Sequence, residues 1–363
     1  MTAVSRSDVE AAIQGYIDPY LEKDLLAAKA IKDIRVTGDR VEVDVQLGFP
    51  AGGYHDTLVA TLQQRITALE GVNTALIQVD TKIIPHEVQK GLKPLPNVKN
   101  IIAVASGKGG VGKSTTAVNL ALALQAEGAT AGILDADIYG PSQPRMLGTN
   151  QRPTSQDGHS MEPVISHGLQ SMSIGYMIDE ETPMIWRGPM VTQALEQLLR
   201  DTRWHDLDYL VIDLPPGTGD TQLTLSQKIP VSGAIIVTTP QDIALLDARK
   251  GLKMFEKVNV PVLGVVENMS IHICSNCGHE EHIFGEGGGR RMAEQYHVDF
   301  LGALPLDIRI REETDSGMPT VIAEPESRIA QIYREIARKA AARLALQAKS
   351  YSQLFPNIVI QKT

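Results

Sequence analysis

A glycine-rich stretch that begins at residue 107 has the residue types and spacing of a phosphate-binding site. Its pattern is G-x-x-x-x-G-K-[ST], and its members are Gly107, Lys108, Gly109, Gly110, Val111, Gly112, Lys113 and Ser114. An apolar run at residues 101–105 precedes it, and residues 116–124 after it are typical of a helix. Because strand, loop and helix in this order point backbone N–H groups at one place, they predict a phosphate-binding loop.

The side chains of this loop predict how ATP and Mg²⁺ are held. Lys113 is expected to contact the β- and γ-phosphates, and the Ser114 hydroxyl to coordinate Mg²⁺. Thr115 follows them and completes the expected nucleotide-binding stretch. Lys108 is a second lysine within the loop, at a position that the basic pattern leaves open.

Aspartates at the ends of two later apolar runs predict the rest of the catalytic centre. Asp135 and Asp137 follow one run, and Asp213 follows another. A carboxylate that ends a buried strand supplies the magnesium side of phosphate-loop enzymes. We therefore assign Asp135 and Asp213 to Mg²⁺, and Asp137 to orienting the water that attacks the γ-phosphate.

The composition indicates an ordinary globular protein of about two domains, at roughly 150 residues each. The chain has 363 residues, of which 43% are hydrophobic, and its net charge of −9 argues against nonspecific nucleic-acid binding. No apolar run approaches the roughly 18 residues that span a bilayer, so no membrane association is expected. Two cysteines make no disulfide framework, and a reducing, cytoplasmic location is expected.

Residues 1–88 are predicted to form a small α+β domain. Ser7 and Glu10 have the spacing of a capping box at the start of its first helix. Residues 41–47 alternate apolar and polar side chains, which is typical of a strand with one covered face. Residues 89–99 contain two prolines and no periodicity, and they indicate a linker.

Residues 100–349 are predicted to form a nucleotide-binding domain, and residues 350–363 a C-terminal tail. Six apolar runs in this domain alternate with helical segments. The runs lie at residues 101–105, 131–134, 209–212, 234–238, 262–266 and 299–303. Strands that are apolar throughout are typical of a parallel sheet covered on both faces. The pattern predicts an α/β fold with a doubly wound, mostly parallel sheet and the nucleotide at the carboxyl ends of its strands.

The loop with its two lysines resembles the deviant phosphate loop of the MinD-like ATPases. Further motifs narrow the resemblance to the Mrp (ApbC) family of iron–sulfur carriers; they lie at residues 186–190, 213–220, 266–270 and 284–289. The first domain resembles a small domain that recurs in iron–sulfur assembly factors. Many such domains carry a cysteine just after the strand, whereas this chain has none at residues 48–53. Chemistry that depends on that cysteine is therefore not expected here.

The resemblance implies roles for two residues that the motifs alone leave open. Lys108 corresponds to the family's signature lysine, which is expected to cross a dimer interface and contact the partner's nucleotide. There it would neutralise the charge that builds up during phosphoryl transfer, as an arginine finger does. Asn268, at the end of a strand, resembles the family's adenine-reading asparagine.

The two cysteines, Cys274 and Cys277, form a C-x-x-C pair that is compatible with zinc, redox or cluster chemistry. A structural zinc site needs four ligands, and the nearby candidates are His272, His279 and His282. An iron–sulfur cubane usually takes four thiolates. One chain supplies two, so such a cluster, expected to be [4Fe–4S], must be shared by two chains across a two-fold axis.

The function expected from the motifs and the resemblance is that of an ATP-hydrolysing iron–sulfur cluster carrier. It would act as a homodimer, with cluster-assembly scaffolds and apo iron–sulfur proteins as partners. The sequence leaves three alternatives open: a regulatory ATPase stabilised by a structural zinc ion, a membrane-partitioning ATPase of the MinD type, and a reductase that passes electrons through a shared cluster. The MinD type needs a basic amphipathic C-terminal helix, whereas the tail here contains Pro356 and a single lysine.

Overall fold

The computed structural model describes residues 4–178, 188–274 and 276–347, and the chain divides into two units. The first unit comprises residues up to Ile84 together with Ala341–Gln347, and the second comprises Pro85–Ala340. The predicted C-terminal tail lies outside the described residues, as do Trp186 and Arg187 of one family motif.

The first unit is a three-stranded sheet with two helices. Its elements are α1 (Arg6–Gln14), β1 (Ile31–Thr37), β2 (Arg40–Leu47), α2 (His55–Thr67) and β3 (Thr74–Thr81). The central strand β2 pairs antiparallel with β1 and parallel with β3. The alternation in β2 has the expected result, because Val41, Val43, Val45 and Leu47 are all buried.

The first helix begins earlier than its sequence pattern predicts. Ser5 is the N-cap, and its hydroxyl accepts a hydrogen bond from the Asp8 N–H. The Asp8 carboxylate accepts one from the Ser5 N–H at 2.9 Å, which closes a capping box. The predicted box of Ser7 and Glu10 is therefore wrong by two residues. An aspartate at the third helical position closes the box here in place of the usual glutamate.

The second unit contains a large sheet flanked by helices. Its strands are β4 (Val98–Ala105), β5 (Ala131–Asp135), β6 (Val164–Ser166), β7 (Leu169–Ser173), β8 (Leu207–Asp213), β9 (Gly233–Thr238), β10 (Val262–Glu267) and β13 (Phe300–Ala303). A separate two-stranded ribbon consists of β11 (His272–Ile273) and β12 (Glu280–Glu281). The helices are α3 (Lys113–Ala126), α4 (Gln143–Met146), α5 (Gly188–Asp201), α6 (Asp220–Lys228), α7 (Asp242–Lys257), α8 (Gly288–Tyr296), α9 (Ile308–Asp315), α10 (Thr320–Ala323) and α11 (Arg328–Ala345), whose residues from Ala341 onward belong to the first unit.

The strand order explains where a ligand should bind. The order is β13-β10-β9-β4-β8-β5-β7-β6, and all neighbouring pairs are parallel except β6 with β7. The first strand of this unit along the chain, β4, lies between β8 and β9, so later strands are added to the sheet on both sides of it. Open α/β sheets bind ligands at the carboxyl ends of the strands at such a switch point. The predicted α/β fold class is confirmed.

Two details differ from the sequence-based expectation. Val98 and Lys99, which the composition placed in the linker, are the first residues of β4, and Val98 is buried. Strands β6 and β7, at one side of the sheet, had no predicted counterpart, and β6 is the edge strand. β6 has three residues and buries only Val164, and β7 contains Gln170, Ser171 and Ser173, so neither has the continuous apolar run that marks the central strands. Among the described residues, no helix is both long and apolar enough to cross a membrane.

Candidate functional site

The phosphate-binding loop connects the end of β4 to the start of α3 and is fixed by close backbone approaches. Gly112 caps α3 with a φ of +82°, a conformation that favours glycine. A side chain there would collide with Asn268, whose Nδ2 donates a hydrogen bond to the Val111 carbonyl oxygen at 2.9 Å. The predicted base-reading residue Asn268 therefore also holds the loop, and it is only 8% exposed.

Gly107 illustrates the same constraint at the other end of the loop. A Cβ atom on Gly107 would collide with the backbone of Asp247 and Ala248 in α7. Gly109 has open space, since its nearest neighbour is Pro216 Cγ at 3.9 Å. The backbone of the loop thus packs closely against α7 at Gly107, whereas a side chain could be accommodated at Gly109.

Lys113 and Asp213 form an ion pair at the carboxyl end of the sheet. Lys113 Nζ donates to Asp213 Oδ1 and, at 3.0 Å, to Ser114 Oγ. Both charged residues are buried, with 6% of Lys113 and none of Asp213 exposed. Gln143, the first residue of α4, donates from Nε2 to Asp213 Oδ2 at 2.9 Å. The structure therefore brings together the loop lysine, the predicted magnesium oxygens of Ser114 and Asp213, and a glutamine that the sequence did not single out.

Asp135 lies beside Asp213 because the parallel register of β5 and β8 pairs the two residues. Its Oδ2 accepts hydrogen bonds from the backbone N–H groups of Ser142 and Gln143 and from the Ser173 hydroxyl, at 2.9 to 3.0 Å. Burial, reinforced by the negative charge of Asp213, raises the pKa of Asp135 to about 7. Asp135 thus organises the loop that leads into α4 as well as facing the predicted magnesium site.

Asp137 is the least enclosed of the three aspartates. Its backbone N–H donates to Asp135 Oδ1 at 3.1 Å, and its side chain is partly exposed. Burial raises the pKa of its carboxyl group, while the positive charge of Lys113 lowers it. A partly exposed carboxylate close to the loop lysine is suited to contact a water molecule beside the phosphates.

The oxygen atoms at this edge of the sheet fit Mg²⁺. This cation prefers hard oxygen ligands and is typically held by one or two carboxylates together with substrate phosphates and water. Ser114, Asp135 and Asp213 supply such oxygens within one hydrogen-bonded group. Two further oxygens beside them, Ser142 Oγ and Gln143 Oε1, are buried and have no hydrogen-bond partner in the described part of the chain.

The loop after β8 is bonded to the phosphate-binding loop. The Gly217 N–H donates to the Ser106 carbonyl oxygen at 2.9 Å, and the Leu214 N–H donates to the Val104 carbonyl oxygen at 3.1 Å. Gly217 has a φ of +103°, so this conformation depends on glycine. The loop that leads into α6 is therefore hydrogen-bonded directly to the start of the phosphate-binding loop.

Lys108, the second lysine of the loop, differs from Lys113 in its exposure and in its ion pairing. Its side chain is exposed, and within residues 4–178, 188–274 and 276–347 no acidic group forms an ion pair with it. Its carbonyl oxygen accepts a hydrogen bond from Ser106 Oγ at 2.8 Å, which fixes the backbone while the side chain extends outward. The side chain of Lys108 is thus exposed to solvent on a loop whose backbone is held by this hydrogen bond.

The cysteines lie at the turn of the β11–β12 ribbon. The Cys274 N–H donates to the His279 carbonyl oxygen and the Gly278 N–H donates to the Cys274 carbonyl oxygen, both at 2.9 Å. Cys274 is partly exposed and Cys277 exposed, and both thiols are free. Hydrogen bonds from the Cys277 and Asn276 N–H groups lower the pKa of the Cys274 thiol. A ribbon turn that presents two thiols, one of them with a lowered pKa, is suited to bind a soft metal or cluster.

The nearby histidines are bonded to the backbone. His282 Nδ1 lies 2.9 Å from the Ser270 carbonyl oxygen, and His272 Nδ1 lies 3.2 Å from the Leu306 carbonyl oxygen. Among the described residues, no group of three or more His, Cys, Asp or Glu side chains is arranged to hold a metal ion. The ribbon of one chain thus offers the two thiols without a completed ligand set around them.

A short covalent path joins the ribbon to the phosphate-binding loop. Asn268, which bonds the loop, is followed by Met269 with a φ of +55° and then by Ser270. Ser270 donates from both its N–H and its hydroxyl to the Leu304 carbonyl oxygen, at 2.9 and 3.0 Å. The ribbon starts at His272, two residues after Ser270, and Nδ1 of His282, just beyond its second strand, lies 2.9 Å from the Ser270 carbonyl oxygen.

Comparison with known proteins covers both units. The model of the NUBPL iron-transfer P-loop NTPase family matches residues 97–341, and the model of an iron-sulfur cluster assembly protein matches residues 6–78. The iron-sulfur cluster carrier protein of Escherichia coli strain K12 is 52% identical over 345 residues, which cover 95% of this chain and 94% of that protein. The mouse iron-sulfur cluster transfer protein NUBPL is 52% identical over 272 residues, covering 74% of this chain and 85% of that protein.

Solved structures agree with this placement. A nucleotide-binding protein from Archaeoglobus fulgidus, in complex with ADP, is 36% identical with a TM-score of 0.55, covering 64% of this chain and 90% of that one. The cell division ATPase MinD of Pyrococcus furiosus, at 22% identity and a TM-score of 0.50, covers 66% of this chain and 97% of its own and shares the fold. The predicted relationship to iron–sulfur carrier ATPases is confirmed, and the chain belongs to the NUBPL-type iron-transfer P-loop NTPase family.

Proposed function

We propose that this P-loop NTPase is an ATP-dependent iron–sulfur cluster carrier, which takes a cluster from an assembly scaffold and transfers it to apo-proteins. The observation that carries this proposal is the ribbon turn, where Cys274 and Cys277, the chain's two cysteines, are presented with free thiols. The names of the bacterial and mouse relatives support it. The cluster is the cargo, and an exposed turn is where a cargo that must leave again is expected.

The nucleotide site is proposed to bind ATP with Mg²⁺. Ser114, Asp135 and Asp213 would hold the cation, directly or through water, and Mg²⁺ would supply charge neutralisation at the phosphates. Lys113 would exchange its buried ion pair with Asp213 for the β- and γ-phosphate oxygens. Asp137 would orient the attacking water. Base contact by Asn268 would use its amide oxygen or the second N–H of Nδ2, since the first N–H bonds the Val111 carbonyl oxygen.

The working form is proposed to be a homodimer, on two independent grounds. A cluster with four thiolate ligands needs two copies of a chain that has two cysteines. Lys108, exposed and without an acidic partner among the described residues, gains a partner if it reaches the phosphates of a second chain. A charge argument and a ligand-count argument thus lead to the same assembly.

Nucleotide state is proposed to control cluster exposure through Asn268. This residue bonds the phosphate-binding loop and lies two residues before Ser270, which anchors both sides of the ribbon. A movement of Val111 on ATP binding or hydrolysis would therefore reach the base of the ribbon through a few bonds. Because the two ribbons of a dimer would share one cluster, a small shift of each would change how open the cluster is.

We favour an iron–sulfur cluster carrier over an ATPase that is stabilised by a structural zinc ion. A structural zinc site within one chain needs four ligands, whereas no group of three or more His, Cys, Asp or Glu side chains among the described residues is arranged to hold a metal ion. The first unit, which comprises the residues up to Ile84 and Ala341–Gln347, is proposed as a docking module, because residues 48–53 contain no cysteine that could take part in cluster chemistry. Free cysteines at an exposed site are best preserved in a reducing compartment, and the cytoplasm is proposed as the location.

A transfer experiment tests this function. The protein is loaded anaerobically with iron and sulfide, separated from unbound ions, and mixed with an apo-ferredoxin whose own cluster has a distinct spectrum. We expect the ferredoxin spectrum to appear faster than it does with the same amounts of free iron and sulfide, because the cluster is passed on intact. An unchanged rate, or a transfer abolished by a chelator that scavenges free iron, would contradict the carrier function.

A further inference from the structure

Two side-chain oxygen atoms of consecutive residues beside the nucleotide site are buried without a hydrogen-bond partner in the described structure. They are Ser142 Oγ and Gln143 Oε1, at the start of α4. Gln143 is completely buried. Buried polar atoms in folded proteins nearly always have a partner, so two such atoms on consecutive residues indicate a ligand that supplies hydrogen-bond donors.

The orientation of the Gln143 amide is determined by its surroundings. Its Nε2 lies 2.9 Å from Asp213 Oδ2 and 3.3 Å from the Ser114 carbonyl oxygen, and both of these atoms accept hydrogen bonds. The amide nitrogen must face them, because an amide oxygen in that position would meet two acceptors. Gln143 Oε1 is therefore the atom that needs a donor.

The backbone of the same two residues is bonded to the third member of the site. The N–H groups of Ser142 and Gln143 both donate to Asp135 Oδ2, at 2.9 and 3.0 Å. The pair is thus held by hydrogen bonds to Ser114, Asp135 and Asp213, the three residues proposed to hold Mg²⁺.

Water bound to Mg²⁺ is the donor that fits. Mg²⁺ gives up its water molecules reluctantly and keeps several of them when bound to a protein and a nucleotide. Such water molecules are strong hydrogen-bond donors, because the cation withdraws charge from their oxygen atoms. A glutamine carbonyl oxygen and a serine hydroxyl oxygen are both suitable acceptors.

We propose that Ser142 and Gln143 are positioning residues for the nucleotide-bound magnesium, and that they accept hydrogen bonds from its water molecules. The proposal rests on the nucleotide part of the proposed function and is independent of the cluster. Gln143 acts in two ways, since its nitrogen orients Asp213 while its oxygen receives water. Ser142 acts through its hydroxyl alone.

The unpartnered hydroxyl makes Ser142→Ala the sharpest test. In the nucleotide-free protein this change removes no hydrogen bond of the described structure, so the midpoint of thermal unfolding should stay the same or rise. ADP affinity is then measured calorimetrically with Mg²⁺ and with a chelator. We expect the gain in affinity that Mg²⁺ gives to fall about tenfold, the size of one charge-assisted hydrogen bond. The affinity for ADP without Mg²⁺ should not change.

Two more variants complete the experiment. Gln143→Met keeps the length of the side chain. It should lower the gain in ADP affinity that Mg²⁺ gives, here called the magnesium effect, at least as much as Ser142→Ala does, because it also removes the hydrogen bond to Asp213. Gln125→Met is the matched control, since Gln125 likewise has an unpartnered Oε1 but donates from Nε2 to the His167 carbonyl oxygen in another part of the unit. Its magnesium effect should equal that of the unchanged protein.

The outcomes separate this proposal from the proposed function. If the unchanged protein binds ADP equally with and without Mg²⁺, the nucleotide part of the proposed function is wrong. If it shows the magnesium effect and Ser142→Ala retains it in full, the positioning role is wrong. An equal loss of affinity with and without Mg²⁺, or a lowered unfolding midpoint with the magnesium effect intact, also contradicts the positioning role and indicates a purely structural one.

Discussion

Replacing both cysteines, by Cys274→Ala together with Cys277→Ala, is expected to abolish cluster uptake during anaerobic reconstitution. The chain contains no other cysteine, so no alternative thiolate can take over the cluster. Both side chains lie at an exposed turn, away from the buried core, so the variant should fold normally. Iron and sulfide bound per chain, together with the visible absorption of the cluster, measure the loss.

The matched control for this variant is His279→Ala. His279 is exposed in the same turn, and its carbonyl oxygen, which bonds the Cys274 N–H, is retained by alanine. A thiolate cluster should be taken up by this variant as by the unchanged protein, whereas a zinc site that used His279 would lose metal. Unchanged cluster uptake by the double cysteine variant would overturn the assignment of Cys274 and Cys277. ADP affinity, measured alongside, should be the same in all these proteins.

Lys108→Ala is expected to lower the rate of ATP hydrolysis about a thousandfold, the lower end of what a charge supplied in trans contributes to phosphoryl transfer. ADP affinity and thermal stability should be unaffected, because the side chain is exposed and has no ion pair among the described residues. Lys257→Ala, which removes one exposed lysine at the end of α7, controls for the change in net charge. Normal hydrolysis by Lys108→Ala would contradict the shared-lysine mechanism.

Mixing two inactive variants shows whether Lys108 acts across the dimer. In a mixed dimer of Lys108→Ala and Asp137→Asn chains, one site combines an intact Asp137 with the partner's intact lysine. With free exchange of subunits at equal concentrations, activity should return to about a quarter of the original, since half the dimers carry one complete site of two. If Lys108 acted within its own chain, no mixture would recover activity.

Lys113→Ala should act differently from Lys108→Ala. It removes the phosphate contact, so nucleotide affinity itself should fall. It also leaves Asp213 buried without its counter-ion, and breaking a buried pair in this way typically costs about 3–5 kcal/mol of stability. Thermal unfolding must therefore accompany the binding measurement. A lowered unfolding midpoint is expected for Lys113→Ala and an unchanged one for Lys108→Ala.

The sequence was sufficient for those parts of the fold that depend on local patterns. The central strands are continuous apolar runs, and the phosphate-binding loop is a fixed motif between a strand and a helix. That Asp135 and Asp213 lie at the same edge also follows, because the carboxyl ends of parallel strands meet there; the register that pairs the two residues is seen only in the structure. The α/β fold and the family were therefore predictable from the chain alone.

The residues that sequence analysis missed are those whose importance comes from contacts between distant segments. Gln143 lies in a four-residue helix without any motif, and only the fold brings its amide to Asp213 and Ser114. The bond from Asn268 to Val111 joins residues 157 positions apart. The possible signal for Gln143 was a polar residue between two prolines directly after the Asp135 loop, which is too general to identify a site.

Boundaries were the other source of error. The last part of the long C-terminal helix, at Ala341–Gln347, belongs with the first unit, although nothing in its alanine-rich sequence distinguishes it from the preceding turns. The first two residues of β4 were assigned to the linker because a proline-rich segment precedes them directly. Such boundaries depend on which surface a segment contacts, and a single sequence does not contain that information.

The most direct test of the central claim is native mass spectrometry of the anaerobically reconstituted protein. The claim is that one cluster is held between two chains by Cys274 and Cys277 of each. The predicted result is a dimer that carries one cluster for every two chains, with cluster-free monomer as the other species. A monomer that carries a cluster, or a dimer with a separate metal on each chain, would contradict the shared site.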